Sequence, residues 1–407
     1  MIASGVEGTK SQWRALVFLA IAELLGMTLW FSASAVVPTL KEDWGLSSAS
    51  SAWLTMSAQI GFVAGTFLSA VLNLPDTMNS RRLFAISALL GAMSNAAFVL
   101  LAQGLMLGVP LRFLTGVFLA GIYPPGMKLA VAWSRRNRGL AISLLVGALT
   151  VGSASPHFIR SLGSLTWQQA VLVSSALAVV GGVIVLALVR DGPFTTPPAP
   201  FNPRVVIHSL TQRGVRLVNF GYLGHMWELY AMWTWVPIFL VVALEERSGS
   251  ASLAGIITFA VIAVGGVGSV ITGALAYRLG RTVITSGAMI VIGSMAILAA
   301  VFFDAPLPIL IPILLLWGLT VVADSAQFSA AITELSPQEY MGTALTIQVA
   351  IGFLLTLVPI QLVPLLVDAQ GWSLAFAVLA VGPAFGVWAM LDLRRLPEAT
   401  NLAGGLR

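Results

Sequence analysis

The chain has 407 residues, of which 58% are hydrophobic and 9% charged, and its mean hydropathy is +0.93. Soluble domains carry about a quarter of their residues as charges, so a water-soluble globular protein is excluded. The formal charge of +5 is read as membrane topology, because Lys and Arg collect on the cytoplasmic loops of membrane proteins, and not as a surface for nucleic acid.

The polar first twelve residues have no small-residue cleavage site after a short apolar core, so the first apolar run is expected to be a retained helix. At about 20 apolar residues per crossing, twelve spans use roughly 240 to 290 residues. Apolar runs between polar breaks place them at 13–37, 51–74, 83–102, 110–132, 140–160, 169–189, 217–242, 251–276, 283–303, 308–333, 343–367 and 372–391. Between the sixth and seventh lies Arg190 to Arg216, where Asp191-Gly192-Pro193 and the Pro-rich run to Pro200 cannot continue a helix. The expectation is an all-α polytopic membrane protein of 12 transmembrane helices in two pseudo-symmetric six-helix bundles. The first bundle covers 1–189, a linker 190–216, and the second bundle with its tail 217–407.

Sixteen of the 21 Lys and Arg fall on the side of the N-terminus, three on the other (Lys41, Arg160, Arg247), and Arg112 and Lys128 lie inside spans. Both termini and the linker are therefore expected in the cytoplasm, with a bacterial inner membrane as the setting. Each half opens with a helix that carries a Glu and ends in Val-Pro (Val37-Pro38, Val236-Pro237), followed by a Ser-rich restart. Internal duplication of this kind is the building plan of many secondary transporters.

Between spans 8 and 9 the sequence reads Gly273-Ala-Leu-Ala-Tyr277-Arg278-Leu-Gly280-Arg281. The equivalent place between spans 2 and 3 holds Asp76, Arg81 and Arg82, and Arg112-Phe-Leu-Thr-Gly116 opens span 4. Trp133-Ser-Arg135-Arg136-Asn-Arg138-Gly139 and Ser336-Pro337-Gln-Glu339-Tyr-Met-Gly342 form turns between spans 4 and 5 and between spans 10 and 11. Together these resemble the loop and span motifs of the major facilitator superfamily (MFS), whose loop pattern is Gly-x-x-x-Asp-Arg-x-Gly-Arg. The resemblance covers nearly the whole chain and implies two bundles that rock around a central site. It also implies that Asp76, Arg81, Arg82, Tyr277, Arg278 and Arg281 act in gating, as a latch at the cytoplasmic helix ends. Tyr277 stands where the family usually has Asp, so Asp76 with Arg81 and Arg82 is expected to carry more of the gating. Span 5 lacks the Gly-Pro of many drug and proton antiporters.

An ionisable group at mid-membrane is a functional candidate by default. Glu23 and Glu228 lie about ten residues into spans 1 and 7, near the midplane at about 1.5 Å per residue, and are the candidate proton-coupling groups. Arg112, Lys128, Tyr230, His225 and Asp324 are the candidate substrate contacts. Arg112 acts through a fixed charge, or else holds interhelical backbone. Lys128 follows the helix-breaking Tyr123-Pro124-Pro125-Gly126, and snorkelling to the interface is its plainer explanation. His225 shares a face with Glu228, and Asp324 opens a polar stripe with Ser325, Gln327 and Ser329. His157 and Arg160, one turn apart in span 5, are an outer vestibule or merely surface. Of the aromatic residues in span 7, Tyr230 is assigned to a cavity and Trp235 to the interfacial belt.

The chain has no cysteine, which excludes thiolate zinc sites and thiol nucleophiles. It has no Gly-x-x-x-x-Gly-Lys-Ser/Thr loop and no His-Glu-x-x-His. Neither enzymatic activity nor a cofactor is expected. The expected function is secondary active transport by alternating access, with proton-coupled uptake of a small organic or inorganic anion as the leading reading. Proton-driven efflux of an amphipathic or cationic compound is the alternative. The expected partners are a small-molecule substrate, protons and the lipid bilayer, and the expected state is a monomer.

Overall fold

The computed structural model describes residues 10–72, 74–134, 138–163, 165–194, 211–245, 247, 250–337 and 341–407; the side chains of 75, 76, 138, 251, 341 and 342 lie outside that range. All regular structure among the described residues is helical. Among the described residues, eleven stretches are long and apolar enough to cross a membrane. The remaining expected span is a broken helix. Its first piece, α1 (Lys10–Met27), carries Lys10, Arg14 and Glu23 within 18 residues, too many charges to be recognised by apolarity. Beyond Met27 the chain runs through turns and a 3-10 piece, Ser34–Val36, into α2 (Val37–Trp44). There Pro38 starts the helix, where a missing N–H costs nothing, and Gly45 ends it at φ +62°.

The chain forms two compact units, Met1–Ser47 with Trp53–Pro200, and Ser48–Ala52 with Phe201–Arg407. The first contains α1 and α2, then α4 (Trp53–Val71), α5 (Leu74–Thr77), α6 (Ser80–Leu101), α7 (Leu105–Leu119), α8 (Tyr123–Trp133), α9 (Arg138–Ser161) and α10 (Trp167–Leu188). The four-residue α3 (Ser48–Ser51) groups with the second unit. That unit continues with α11 (Arg213–Glu245), α12 (Ala251–Leu279), α13 (Arg281–Val301), α14 (Leu307–Val321), α15 (Ser325–Leu335), α16 (Met341–Gln370), α17 (Trp372–Leu379) and α18 (Val381–Arg395), and ends in 3-10 turns at Pro397–Gly405. Local sequence sets several of the starts. Asn79 opens α6 by accepting from the Arg81 N–H, and Thr166 with Gln169 forms a reciprocal capping box at α10.

The two units share one packing device. In the first, α4 lies against α7 so closely that a Cβ on Gly116 would collide with the Ala58 carbonyl; in the second, α12 lies against α14 and a Cβ on Gly318 would collide with the Val261 carbonyl. With no hydrophobic force between helices in lipid, such close backbone contact is a main source of helix association. Both units also interrupt the second partner of this pair. The α7 helix stops at Leu119 and α8 restarts at Tyr123 ahead of Pro124 and Pro125, while α14 stops at Val321 and α15 restarts at Ser325. Outward side chains such as Val71, Leu100, Met106 and Val301 are exposed, as a hydrocarbon-facing surface requires.

Candidate functional site

In the first unit the break after α1 leaves backbone carbonyls without their usual i+4 donors. Arg112, fully buried on α7, fills that gap. Its Nη1 donates to the Leu29 carbonyl at 3.1 Å and to Asn95 Oδ1 at 2.8 Å, its Nη2 to the Trp30 carbonyl at 2.5 Å, and its Nε to the Leu54 carbonyl at 3.4 Å. Asn95 passes the connection on to Ser175 Oγ at 3.0 Å and the Val171 carbonyl at 3.3 Å on α10, and Ser32 Oγ donates to Asn95 Oδ1 at 2.8 Å. A planar fork of five donors suits this arrangement in a way that a lysine ammonium would not. Four segments are thereby tied to one guanidinium.

Glu23, on α1 ahead of the break, has no such support. It is fully buried, and neither carboxylate oxygen has a hydrogen-bond partner. Its Oε2 rests against the backbone of α8 at Gly126, where a Cβ would collide with it. Tyr123 lies on the same face of α8, one turn earlier. Lys128 is half-buried further along that helix. His157 is buried on α9 with Nε2 unpartnered, and Arg160 donates to the Leu165 carbonyl at 3.1 Å, holding the loop before α10.

In the second unit α11 and the α14–α15 break bring three ionisable groups together. His225 Nδ1 stands 2.9 Å from Asp324 Oδ1, in ion-pair range but not aligned as a hydrogen bond, and its Nε2 is 2.7 Å from Ser325 Oγ. Glu228 Oε1 accepts from the Trp317 indole N–H, and its Oε2 has no partner. His225, Glu228 and Asp324 are each at most 1% exposed. Trp317 is fixed edge-on to Phe376 at 5.3 Å, and the His225 ring lies 5.7 Å from Phe328 and 6.0 Å from Tyr222. Tyr230 is buried against Phe353 at 4.9 Å and Trp233 at 5.5 Å. Trp235 is not in an interfacial belt: it is buried and donates to the Ile360 carbonyl at 2.9 Å.

The expected latch residues find partners within their own units. Arg81 Nε lies 3.3 Å from Asp191 Oδ1 and its Nη1 donates to the Val189 carbonyl at 3.0 Å, while Asn79 also reaches Asp191, at 3.1 Å. The Asp76 side chain lies outside the described residues, and Arg82 is exposed. The start of the expected linker is part of this contact, since the Phe194 N–H donates to the Ala132 carbonyl at 3.0 Å and Trp133 Nε1 to the Arg190 carbonyl at 2.9 Å.

In the second unit Arg281 is buried and forks onto Glu334, Nε to Oε2 and Nη2 to Oε1, both at 2.6 Å, with Nη1 on Gln327 Oε1 at 2.6 Å. Its guanidinium carbon is 5.5 Å from the centre of the Tyr277 ring. A cation–π contact thus stands where the family pattern would place a carboxylate. Arg278 is exposed. The chain's last residues complete this corner. The Ala403 N–H donates to Glu334 Oε2 at 3.1 Å, Thr282 Oγ1 to the Arg407 carbonyl at 3.2 Å, and Arg394 to Thr282 at 3.0 Å. Gly280 turns into it at φ +88°, a conformation costly for residues with a Cβ, and a Cβ there would also collide with the Arg407 carbonyl.

The sequence singled out Glu23, Arg112, His225, Glu228, Asp324 and Arg281, and the structure gives each a defined setting. It did not single out Asn95, Asp191, Trp317 or Glu334. Asp191 carried one available signal, an acid just past a helix end and next to Arg190, while Glu334 is a lone acid at the end of its helix.

The family model described as Major Facilitator Superfamily matches residues 19–359. The chain belongs to the MFS and is a membrane transporter of that family. The MFS chain superposes on the crystal structure of a D-xylose-proton symporter with a TM-score of 0.73, covering 96% of this chain and 99% of that one at 15% identity. It is also 30% identical over 153 residues to a putative niacin/nicotinamide transporter of Bacillus subtilis (strain 168), a match spanning 36% of each chain. The matched stretch is therefore only about a third of that relative's length.

Proposed function

We propose that this transporter carries out proton-coupled uptake of a small organic anion, with an aromatic monocarboxylate such as nicotinate as the first substrate to test. The observation that carries the reading is Glu23, a fully buried carboxyl group with no hydrogen-bond partner, lodged against Gly126. An acid kept this way is suited to binding and releasing a proton, and one proton carried with one monoanion moves no net charge through the low-dielectric interior. The partial match to a niacin/nicotinamide transporter supports a substrate of this size and charge. Lys128 meets the substrate's charge in this reading, while Arg112 acts as a clamp on the α1 break. The setting is a bacterial inner membrane, with both termini cytoplasmic.

A second reading, export of an amphipathic cation in exchange for protons, is favoured by the unpartnered oxygens of Glu23, Glu228 and Asp324. The test is uptake of labelled nicotinate into proteoliposomes, acid outside, with and without a protonophore. Gradient-dependent accumulation supports anion symport. Accumulation that ignores the protonophore removes the coupling. Failure with nicotinate and other small carboxylates, together with gradient-driven movement of a lipophilic cation, puts the export reading in its place.

A further inference from the structure

The buried group on α11 and α15 has a charge problem. With both acids ionised and His225 neutral it carries two negative charges, and among the described residues neither Glu228 nor Asp324 is ion-paired with a lysine or arginine. Among the described residues of the second unit, the neighbouring elements do not supply a cation. Helices α14 and α17 have no charged residue, α16 has only Asp368 near its end, and α18 has Asp392, Arg394 and Arg395 in its last turn. Tyr277 and Arg278 end α12, Arg281 starts α13, and the Arg281 charge is matched by Glu334. On α11 itself the remaining groups are Arg213, Arg216, Tyr222, Tyr230 and Glu245. Isolated buried charges cost several kcal/mol each even after relaxation, so the compensation has to come from protons.

We infer that His225, Glu228, Asp324 and Ser325 form a second proton-exchange site, contained within the second unit and separate from Glu23. The inference rests on the proton-coupled reading above. One proton on His225 and one on Glu228 bring the group to neutrality with Asp324 ionised. The imidazolium then faces the Asp324 carboxylate as an ion pair through Nδ1 and gives Nε2–H to the Ser325 oxygen. Ser325 is half-buried, the only member of the four with surface to spare. A proton leaves when Ser325 takes it from Nε2 and passes its own hydroxyl proton to water, leaving His225 neutral.

The test is pH-difference infrared spectroscopy on the full chain in lipid vesicles. The expected result is a protonated-carboxyl C=O band that persists in Glu23→Gln and disappears in Glu228→Gln. Ser325→Ala, a one-oxygen deletion, is expected to slow deuterium exchange of the His225 imidazolium ring bands by about 10²-fold, the lower end of what a positioned proton donor contributes. Absence of a band sensitive to Glu228→Gln, a band that responds to sodium at constant pH, or exchange unchanged by Ser325→Ala overturns the site. Vesicle uptake separates the two readings. A band present without nicotinate transport rejects the substrate alone, whereas proton-driven uptake without the band rejects this site alone.

Discussion

Arg281 and Glu334 meet in a two-point ion pair at one end of the second unit, with both N–O distances at 2.6 Å, Arg281 buried and Glu334 a quarter exposed. Glu334→Gln leaves the Arg281 charge without an acidic partner, with only Gln327 and the Tyr277 ring beside it, and the loss is expected at or below the lower end of the about 3–5 kcal/mol that breaking a fully buried pair costs. The expected readout is a clear fall in melting temperature of the purified protein, also produced by Arg281→Lys because an ammonium cannot make the forked contact. Unchanged melting in both variants would show that the pair contributes little.

Removing Arg112 should damage folding before it damages affinity. Arg112→Ala takes the charged donor away from the Leu29, Trp30 and Leu54 carbonyls and from Asn95 Oδ1, each lost bond costing about 1–3 kcal/mol. Thermal melting is expected to drop sharply, and Arg112→Lys to recover only part of it. A normal melting temperature with a raised KM for an anionic substrate would instead make Arg112 a substrate ligand.

Glu23→Gln separates coupling from stability. The amide removes a charge that has no partner, so melting should stay level or rise. Accumulation driven by a pH gradient should be lost, while exchange of substrate across the membrane without a gradient persists. Gradient-driven uptake intact in Glu23→Gln would exclude Glu23 as the carrier.

Gly126→Ala tests the space beside that acid. The new methyl collides with Glu23 Oε2, and overpacking of this kind costs about 1–3 kcal/mol. Transport is expected to fall and to recover partly in the double variant with Glu23→Asp, which retracts the carboxyl group by one methylene. Recovery is read from initial uptake rates at several pH values; independent, additive effects would show that the two positions do not couple.

The helices were legible because a crossing needs a long apolar run, a signal spread over some twenty residues. The break in span 4 was legible too, as Tyr123-Pro124-Pro125 removes backbone donors; the matching break at Val322–Asp324 has no proline to mark it. Single polar side chains were harder. Sequence shows that Arg112 is charged inside the membrane, but not that the break after α1 and the α4 backbone leave carbonyls within its reach. Asp191 read as linker and Trp235 as belt, because each partner lies on another segment far along the chain. Glu334 gave little warning for the same reason: a lone acid at a helix end is ordinary until Arg281 and Ala403 are seen beside it.

The interrupted helices have a mechanical consequence. A continuous helix transmits tilt along its whole length as a stiff rod, whereas α1 with α2, α7 with α8, and α14 with α15 are articulated rods with joints at 28–36, 120–122 and 322–324. Missing hydrogen-bond rungs lower the bending stiffness at those joints, so one half can tilt while the other stays seated on its neighbours. Two of the three joints lie next to a guanidinium or an acid, Arg112 on the Leu29 and Trp30 carbonyls and Asp324 against His225. A change of charge there acts at the point of greatest compliance, where a small force produces the largest angular displacement.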